Sequence, residues 1–155
     1  MNPMRRSTVA LCVLLLVIGW TKAAQAQATV LTVSGSPGAF TVSTAVAGSQ
    51  PLGLSNSSTT YFVRVRNSEG VKKIIAQLNS PMPVGTSLTL AMAAPPGASS
   101  LGAVSLDATG RDIVVNIEKE NGVTLGVTYA FTATVAAGVV PVQSRTVTLT
   151  LVNFP

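Results

Sequence analysis

Hydrophobic and polar residues alternate along much of this chain with a period of two. In residues 125–135, leucine, valine, tyrosine and phenylalanine occupy successive odd positions, separated by glycine, threonine and alanine. Residues 146–151 repeat the pattern, with threonine at every even position and valine or leucine at every odd one. Because successive side chains of a β-strand point to opposite faces, both segments are predicted to be strands that bury their odd-numbered residues.

Further short segments have the composition of strands and are separated by turns rich in glycine, proline and serine. They are Thr29–Val33, Phe40–Thr44, Thr60–Arg66, Val71–Leu78, Ser87–Met92, Ala103–Leu106 and Ile113–Ile117. The loop at Ala93–Ser100 is predicted to cross between two sheets. The pattern therefore predicts an all-β chain, an antiparallel two-sheet sandwich of about eight to nine strands with Greek-key connections. A barrel is the alternative, because periodicity does not count sheets.

The dipeptide Asn121-Gly122 is a strong local signal for a β-hairpin. Both residues tolerate the positive φ that a type I′ turn requires. The sequence thus predicts a tight turn at Asn121 and Gly122, joining the strand at 113–117 to the strand at 125–135.

The end of the chain resembles bacterial secreted immunoglobulin-like domains. The resemblance rests on Gly126 and Tyr129, a Gly-x-x-Tyr sequence on a long penultimate strand, and on the regular last strand. It covers roughly residues 28–152 and implies an Ig-like sandwich in which Tyr129 caps a corner by hydrogen bonding to the backbone. Chaperone–usher pilins fit this ending less well, because they lack their final strand and residues 145–152 predict a complete one. The Ig-like fold hosts many functions, so the resemblance leaves function open.

Residues 1–26 are predicted to be a signal peptide. Arg5 and Arg6 precede the apolar run Val9–Trp20, and Ala24-Gln25-Ala26 is a small-x-small cleavage site. The apolar run is shorter than the roughly 20 residues of a membrane-spanning helix, which favours cleavage over an uncleaved anchor. We expect a bacterial protein exported to the periplasm, cell surface or medium, with 27–155 as a single domain that does not span a membrane.

Removal of the signal changes the charge and the chemistry of the chain. Arg5, Arg6 and Lys22 leave with it, so seven Lys and Arg face five Asp and Glu. That small excess, with few aromatic residues for stacking, argues against a nucleic-acid partner. Cys12 also leaves with the signal, so no disulfide is expected in the mature chain.

Reagents for catalysis are scarce. The chain contains no histidine, and its carboxylates fall mostly in predicted turns or at strand ends. Without histidine or a mature cysteine, the commonest general base, metal ligand and thiol nucleophile are missing. Asp107 and Asp112 could share a calcium ion, but no Asp-x-Asp-x-Asp-Gly loop supports this. We therefore expect no enzyme activity, no cofactor and no metal site.

Four cations stand out within the predicted hairpin 64–73: Arg64, Arg66, Lys72 and Lys73. If they lay together on the outer face, they could hold the phosphates or uronates of an acidic envelope polymer. The alternative is that outward cations on strands simply prevent aggregation between sheet edges.

Two functions follow from these observations. The first is a non-catalytic structural or adhesive protein of the cell surface, including a form that assembles with itself by exchanging strands. Residues 27–46, which are β-prone and contain several glycines, are the candidate donor. The second is a module that binds an acidic envelope glycan through the basic hairpin.

Overall fold

The computed structural model describes residues 28–43 and 49–155. The predicted signal peptide and its cleavage site lie outside the described residues. Within these ranges the chain forms nine strands and two 3₁₀ helices, Asn67–Glu69 and Val135–Ala137. The strands are β1 (Val30–Ser34), β2 (Leu54–Val65), β3 (Lys72–Leu78), β4 (Thr86–Met92), β5 (Ser99–Ser100), β6 (Val104–Ser105), β7 (Arg111–Ile117), β8 (Glu120–Ala133) and β9 (Val147–Asn153). Neither helix of the described part has the length and apolar character needed to span a membrane.

The strands form two antiparallel sheets, which confirms the predicted sandwich. One sheet has the order β1-β2-β8-β4-β6 and the other β5-β7-β3-β9. The order β1-β2-β8-β4 corresponds to the A-B-E-D sheet of an immunoglobulin-like domain, and the pair β3-β9 to its strands C and F. The loop after β4 crosses to β5 in the other sheet, as predicted. Contacts of β4 and β6 with β7 bring those edges together, so β1 and β9 lie at the opposite side of the sandwich.

The core consists of the alternate residues that the period-two pattern selects. Along β2 the inward side chains are Tyr61, Val63 and Val65, each at most 1% exposed. The inward residues of the other long strands are Ile74, Ala76, Leu78, Leu88, Leu90, Met92, Ile113, Val114, Ile117, Val127 and Tyr129. β7 departs from the alternation, because Ile113 and Val114 are both buried where its pairing with β3 is irregular. Burial of each large aliphatic side chain stabilises the fold by about 1.5–3 kcal/mol. No disulfide is needed to explain a core of this extent.

The predicted hairpin at Asn121 and Gly122 is wrong. β7 and β8 belong to different sheets, and both residues lie inside β8, next to an irregularity in its pairing with β2. Gly122 has a φ of +122°, and a Cβ at this position would lie 2.8 Å from Cζ of Phe62. Glycine is therefore required by a close approach inside a strand. The dipeptide misled the prediction because positive φ serves irregular strands as well as turns.

The predicted role of Tyr129 is also wrong. Tyr129 is buried in β8, which occupies position E, whereas a corner tyrosine belongs to strand F. Its hydroxyl forms no hydrogen bond with any described residue. Tyr61, and not Tyr129, hydrogen-bonds to the backbone: its hydroxyl donates to the carbonyl oxygen of Ala93 at 2.5 Å. That contact ties β2 to the crossover loop.

Strand boundaries differ from the prediction mainly where alternation is weak. β2 begins at Leu54, six residues before the predicted start at Thr60. The prediction missed the first half of this strand because serine and asparagine there give no apolar alternation. The predicted strand Phe40–Thr44 is not formed over its described residues, 40–43. Phe40 instead stacks on Phe131, with ring centroids 6.1 Å apart.

Thr59 is the one buried side chain among the described residues whose polar atom lacks a hydrogen-bond partner. It is 1% exposed, and its Oγ1 contacts neither donor nor acceptor. An unpaired buried hydroxyl costs about 1–3 kcal/mol. We therefore expect Thr59→Val to raise the free energy of unfolding by about 1 kcal/mol in urea titrations. The control Thr59→Ser keeps the hydroxyl and loses a methyl group, so it should lower stability. A less stable Thr59→Val would show that the hydroxyl is hydrogen-bonded in solution.

Tyr61 predicts a loss of stability at alkaline pH. Burial raises the pKa of Tyr61 well above its usual value of 10.0, so the phenol stays neutral in the folded state while the unfolded chain ionises. The stabilisation is fully present below about pH 10 and declines as the pH rises further. Tyr61→Phe removes this dependence, so the stability gap between wild type and variant should narrow by about 1 kcal/mol from pH 10 to 11 in urea titrations.

The control for this experiment is Val63→Ala, which weakens the same strand without removing a titrating group. Its pH profile should run parallel to that of the wild type. A profile for Tyr61→Phe that also runs parallel would contradict the assignment.

Candidate functional site

The structure does not assemble the four predicted cations into one patch. β2 and β3 belong to different sheets, so the expected hairpin 64–73 is a crossover, and the prediction of a basic hairpin is wrong. Arg64 and Arg66 lie at the end of β2. Lys72 Nζ donates to Asn153 Oδ1 at 2.7 Å and lies 3.7 Å from Glu69, while Lys73 Nζ lies 3.0 Å from Asp112. The two lysines are therefore engaged on the second sheet.

The two carboxylates considered for calcium, Asp107 and Asp112, are likewise bound to separate cations. Asp107 pairs with Arg111, and Asp112 pairs with Lys73. The hydrogen bond from the Arg111 guanidinium, followed by that from the Thr109 N–H, holds the pKa of Asp107 below its usual value. Within the described ranges no three histidine, cysteine or acidic side chains converge in a way that could hold a metal ion. Asp107 and Asp112 face different partners, so the geometry does not support a shared calcium ion.

β9 is the edge strand of the second sheet next to β3, and its other side pairs with no described strand. In an antiparallel ladder, opposite residues alternate between hydrogen-bonded and non-hydrogen-bonded pairs. At the two ends of the β3–β9 pairing, the Asn79 N–H donates to Thr146 O and the Phe154 N–H to Val71 O. Even-numbered residues therefore direct their backbone groups toward β3, and odd-numbered residues direct theirs away from it. We call these outward groups the β9 edge; they belong to Val147, Leu149, Leu151 and Asn153.

No described residue hydrogen-bonds to the β9 edge, and its sequence has none of the usual protection. Residues 146–152 contain no charged residue and no proline. Natural sheets normally blunt exposed edges with charges, proline, bulges or very short strands. Two other edge strands here, β5 and β6, have two residues each, whereas β9 has seven. The β9 edge is thus a long, uncharged template for another strand.

Side chains at the β9 edge point into the sandwich but are not fully covered. Their partners across the ladder, Leu78, Ala76 and Ile74, are at most 2% exposed. Val147, Leu149 and Leu151 themselves are only half-buried. An inward-facing side chain remains partly exposed when the space on one side of its strand is unfilled. Among residues 28–43 and 49–155, no strand occupies the position that strand G takes in an immunoglobulin-like domain.

β1 shows the same partial cover on the same side of the sandwich. Leu31 and Val33 lie opposite the buried residues Val63 and Tyr61, so their side chains face the core. Leu31 is nevertheless half-buried, and Val33 is 45% exposed. We call the space between β1 and β9 the edge groove. The prediction from sequence found the buried face of β9 but missed its open edge.

The described part of the predicted donor, residues 28–43, is only partly used by its own domain. Val30–Ser34 pair with β2, whereas residues 40–43 pair with no described strand. Gly35 and Gly38, both with positive φ, interrupt the segment between these two parts. Strand-forming sequence thus lies outside both sheets in a protein that also has an open strand edge. Residues 44–46 of the predicted donor lie outside the described residues.

Comparisons with known proteins add one likeness. No family model matches the chain, and no curated protein matches it. A solved structure of a chaperone–usher pilus, from work on the uncoiling of its rod, is similar over 99% of both chains, with 15% sequence identity and a TM-score of 0.44.

Proposed function

We propose that this protein is a non-catalytic structural subunit, exported to the cell surface or beyond, that assembles with copies of itself by strand addition. The observation that carries the proposal is the β9 edge, where outward backbone groups and half-buried apolar side chains belong to the same residues. An added strand pairs the backbone groups and covers the side chains at once. Each ladder hydrogen bond contributes about 1 kcal/mol net, and the covered apolar area adds to it.

The occupant of the edge groove is the N-terminal stretch of a second copy. Residues 28–43 contain no charged residue, which matches the uncharged β9 edge and avoids the cost of burying a charge. Residues 40–43 alternate phenylalanine and valine with threonine and serine, the arrangement a strand needs to face a core on one side. Because these residues form no ladder in their own domain, donating them breaks no strand pairing and gives up only the packing of Phe40 on Phe131 and the core.

Leu149→Pro tests the role of the β9 edge. The N–H of Leu149 points outward, so proline there removes a donor from the edge and leaves the hydrogen bonds to β3 in place. We expect the exported protein to form oligomers or fibres as its concentration rises, and Leu149→Pro to reduce their yield by about tenfold. Light scattering and negative-stain microscopy measure both.

Leu149→Ala is the matched control, because it shortens the same side chain and keeps the N–H. Leu149→Ala should assemble like the wild type. A peptide of residues 28–43 should inhibit assembly of the wild type, and a scrambled peptide of the same composition should not. The proposal fails if the wild type stays monomeric at high concentration without fibres. It also fails if Leu149→Pro, shown by circular dichroism to be folded, assembles like the wild type.

A further inference from the structure

A cleft of about 360 Å³ lies at the end of the sandwich where β2 leads into the first 3₁₀ helix. Residues 64–68, at the end of β2 and the start of this helix, form one side of the cleft, and residues 119–121, at the start of β8, form the other. Three cations and three neutral polar side chains line it. They are Arg64, Arg66, Lys119, Asn67, Ser68 and Asn121. We call this the basic cleft; its volume falls in the range of small-molecule sites, about 300–1,000 Å³.

Arg64 is held in a fixed orientation inside the basic cleft. Its Nε donates to the carbonyl oxygen of Asn121 at 3.2 Å, and its guanidinium carbon lies 5.4 Å from the ring centroid of Phe62. Nη1 and Nη2 make no hydrogen bond to any described residue. A guanidinium that is stacked and anchored on one side loses little freedom when its remaining donors bind an oxyanion.

The unpaired positive charge of the described residues is concentrated at this place. Each ion pair among the described residues joins two residues that lie outside the basic cleft: Lys72 with Glu69, Lys73 with Asp112, and Arg111 with Asp107. Arg64, Arg66 and Lys119 have no such partner among the described residues. Glu120 is the one acid lining the cleft, and its Oε1 accepts the Gly122 N–H at 3.1 Å. Three cations and one carboxylate therefore line the cleft, and Glu118 lines an adjoining pocket that shares Arg66 and Lys119 with it.

We propose that the basic cleft binds an anionic sugar unit of an acidic polysaccharide. The planar, outward donors of Arg64 match the two oxygens of a carboxylate, and Arg66 and Lys119 supply the further positive charge. The amide and hydroxyl groups of Asn67 and Ser68 match ring hydroxyls, which a bare anion does not carry. Single-stranded nucleic acid fits less well, because Arg64 covers Phe62 and no free aromatic face lines the cleft for a base to stack on.

The basic cleft is formed by a different set of residues from the basic hairpin predicted at 64–73. Lys119 comes from another part of the chain, while Lys72 and Lys73 do not line the cleft. The basic cleft also lies apart from the β9 edge and uses none of its residues. Binding at the cleft is therefore a separate property from self-assembly.

The test measures binding of trigalacturonate at low salt by NMR chemical-shift titration of the exported protein. Its methyl ester is the neutral ligand of the same shape, and inorganic phosphate is the anion without a sugar. We expect trigalacturonate to shift signals of the basic cleft and to bind more tightly than either. Arg64→Gln and Arg66→Gln should each raise its Kd by about tenfold, and Lys119→Gln by a smaller factor.

Arg145→Gln is the matched control, because it removes the same charge at the opposite end of the sandwich, where Arg145 Nε donates to Pro81 O. Its Kd should stay within about twofold of the wild type. The proposal is overturned if Arg145→Gln weakens binding as much as the cleft variants, since diffuse charge would then explain it. Equal affinity for the ester or for phosphate, or the absence of any shift with trigalacturonate, also overturns it. Arg66 and Lys119 are exposed, so their variants stay informative if Arg64→Gln destabilises the fold.

Discussion

The constraint on which the rest depends is that backbone groups at the side of a β-strand must find a hydrogen-bond partner, either in another strand or in water. The β3–β9 ladder satisfies the even-numbered residues of β9 and turns the odd-numbered ones outward. The same odd-numbered residues carry the apolar side chains. A strand that joins this edge thus gains hydrogen bonds and apolar burial from the same few residues. This coincidence, more than the hydrophobicity of β9, is the reason why we propose its free side as the surface for strand addition.

The sequence predicted which face of each long strand is buried, because that property depends on neighbours two residues away. Val63, Val127 and Leu90 lie inside the core for this reason. It did not predict which strands are neighbours. The segment 64–73 was expected to be a hairpin, yet β2 and β3 lie in different sheets. Which strands pair with each other is set by contacts between distant segments of the chain, and a local sequence pattern carries no information on those contacts.

The same limit explains why the candidate sites changed. Residues 145–152 were expected to complete the domain, because their alternation is as regular as that of any interior strand. Only the sheet order shows that β9 stands at an edge. Lys119 was not among the predicted site residues, and it lines the basic cleft because the β7–β8 connection faces the corner after β2. Arg64 and Arg66 were predicted from sequence, since alternation places Arg64 on the outer face of β2 and Arg66 directly after the strand ends.

The distribution of charge is compatible with both proposed surfaces on one small domain. A strand edge is best joined when no charge must be desolvated, and residues 146–152 contain none. Along the second sheet, lysines are neutralised locally, Lys73 by Asp112 and Lys72 by Glu69. The cations without an acidic partner are left mainly at the end of the sandwich beside β2, where water remains available until a ligand replaces it. We therefore expect the proposed assembly to depend little on ionic strength and the proposed anion binding to weaken as it rises, because salt screens charges and residues 146–152 carry none.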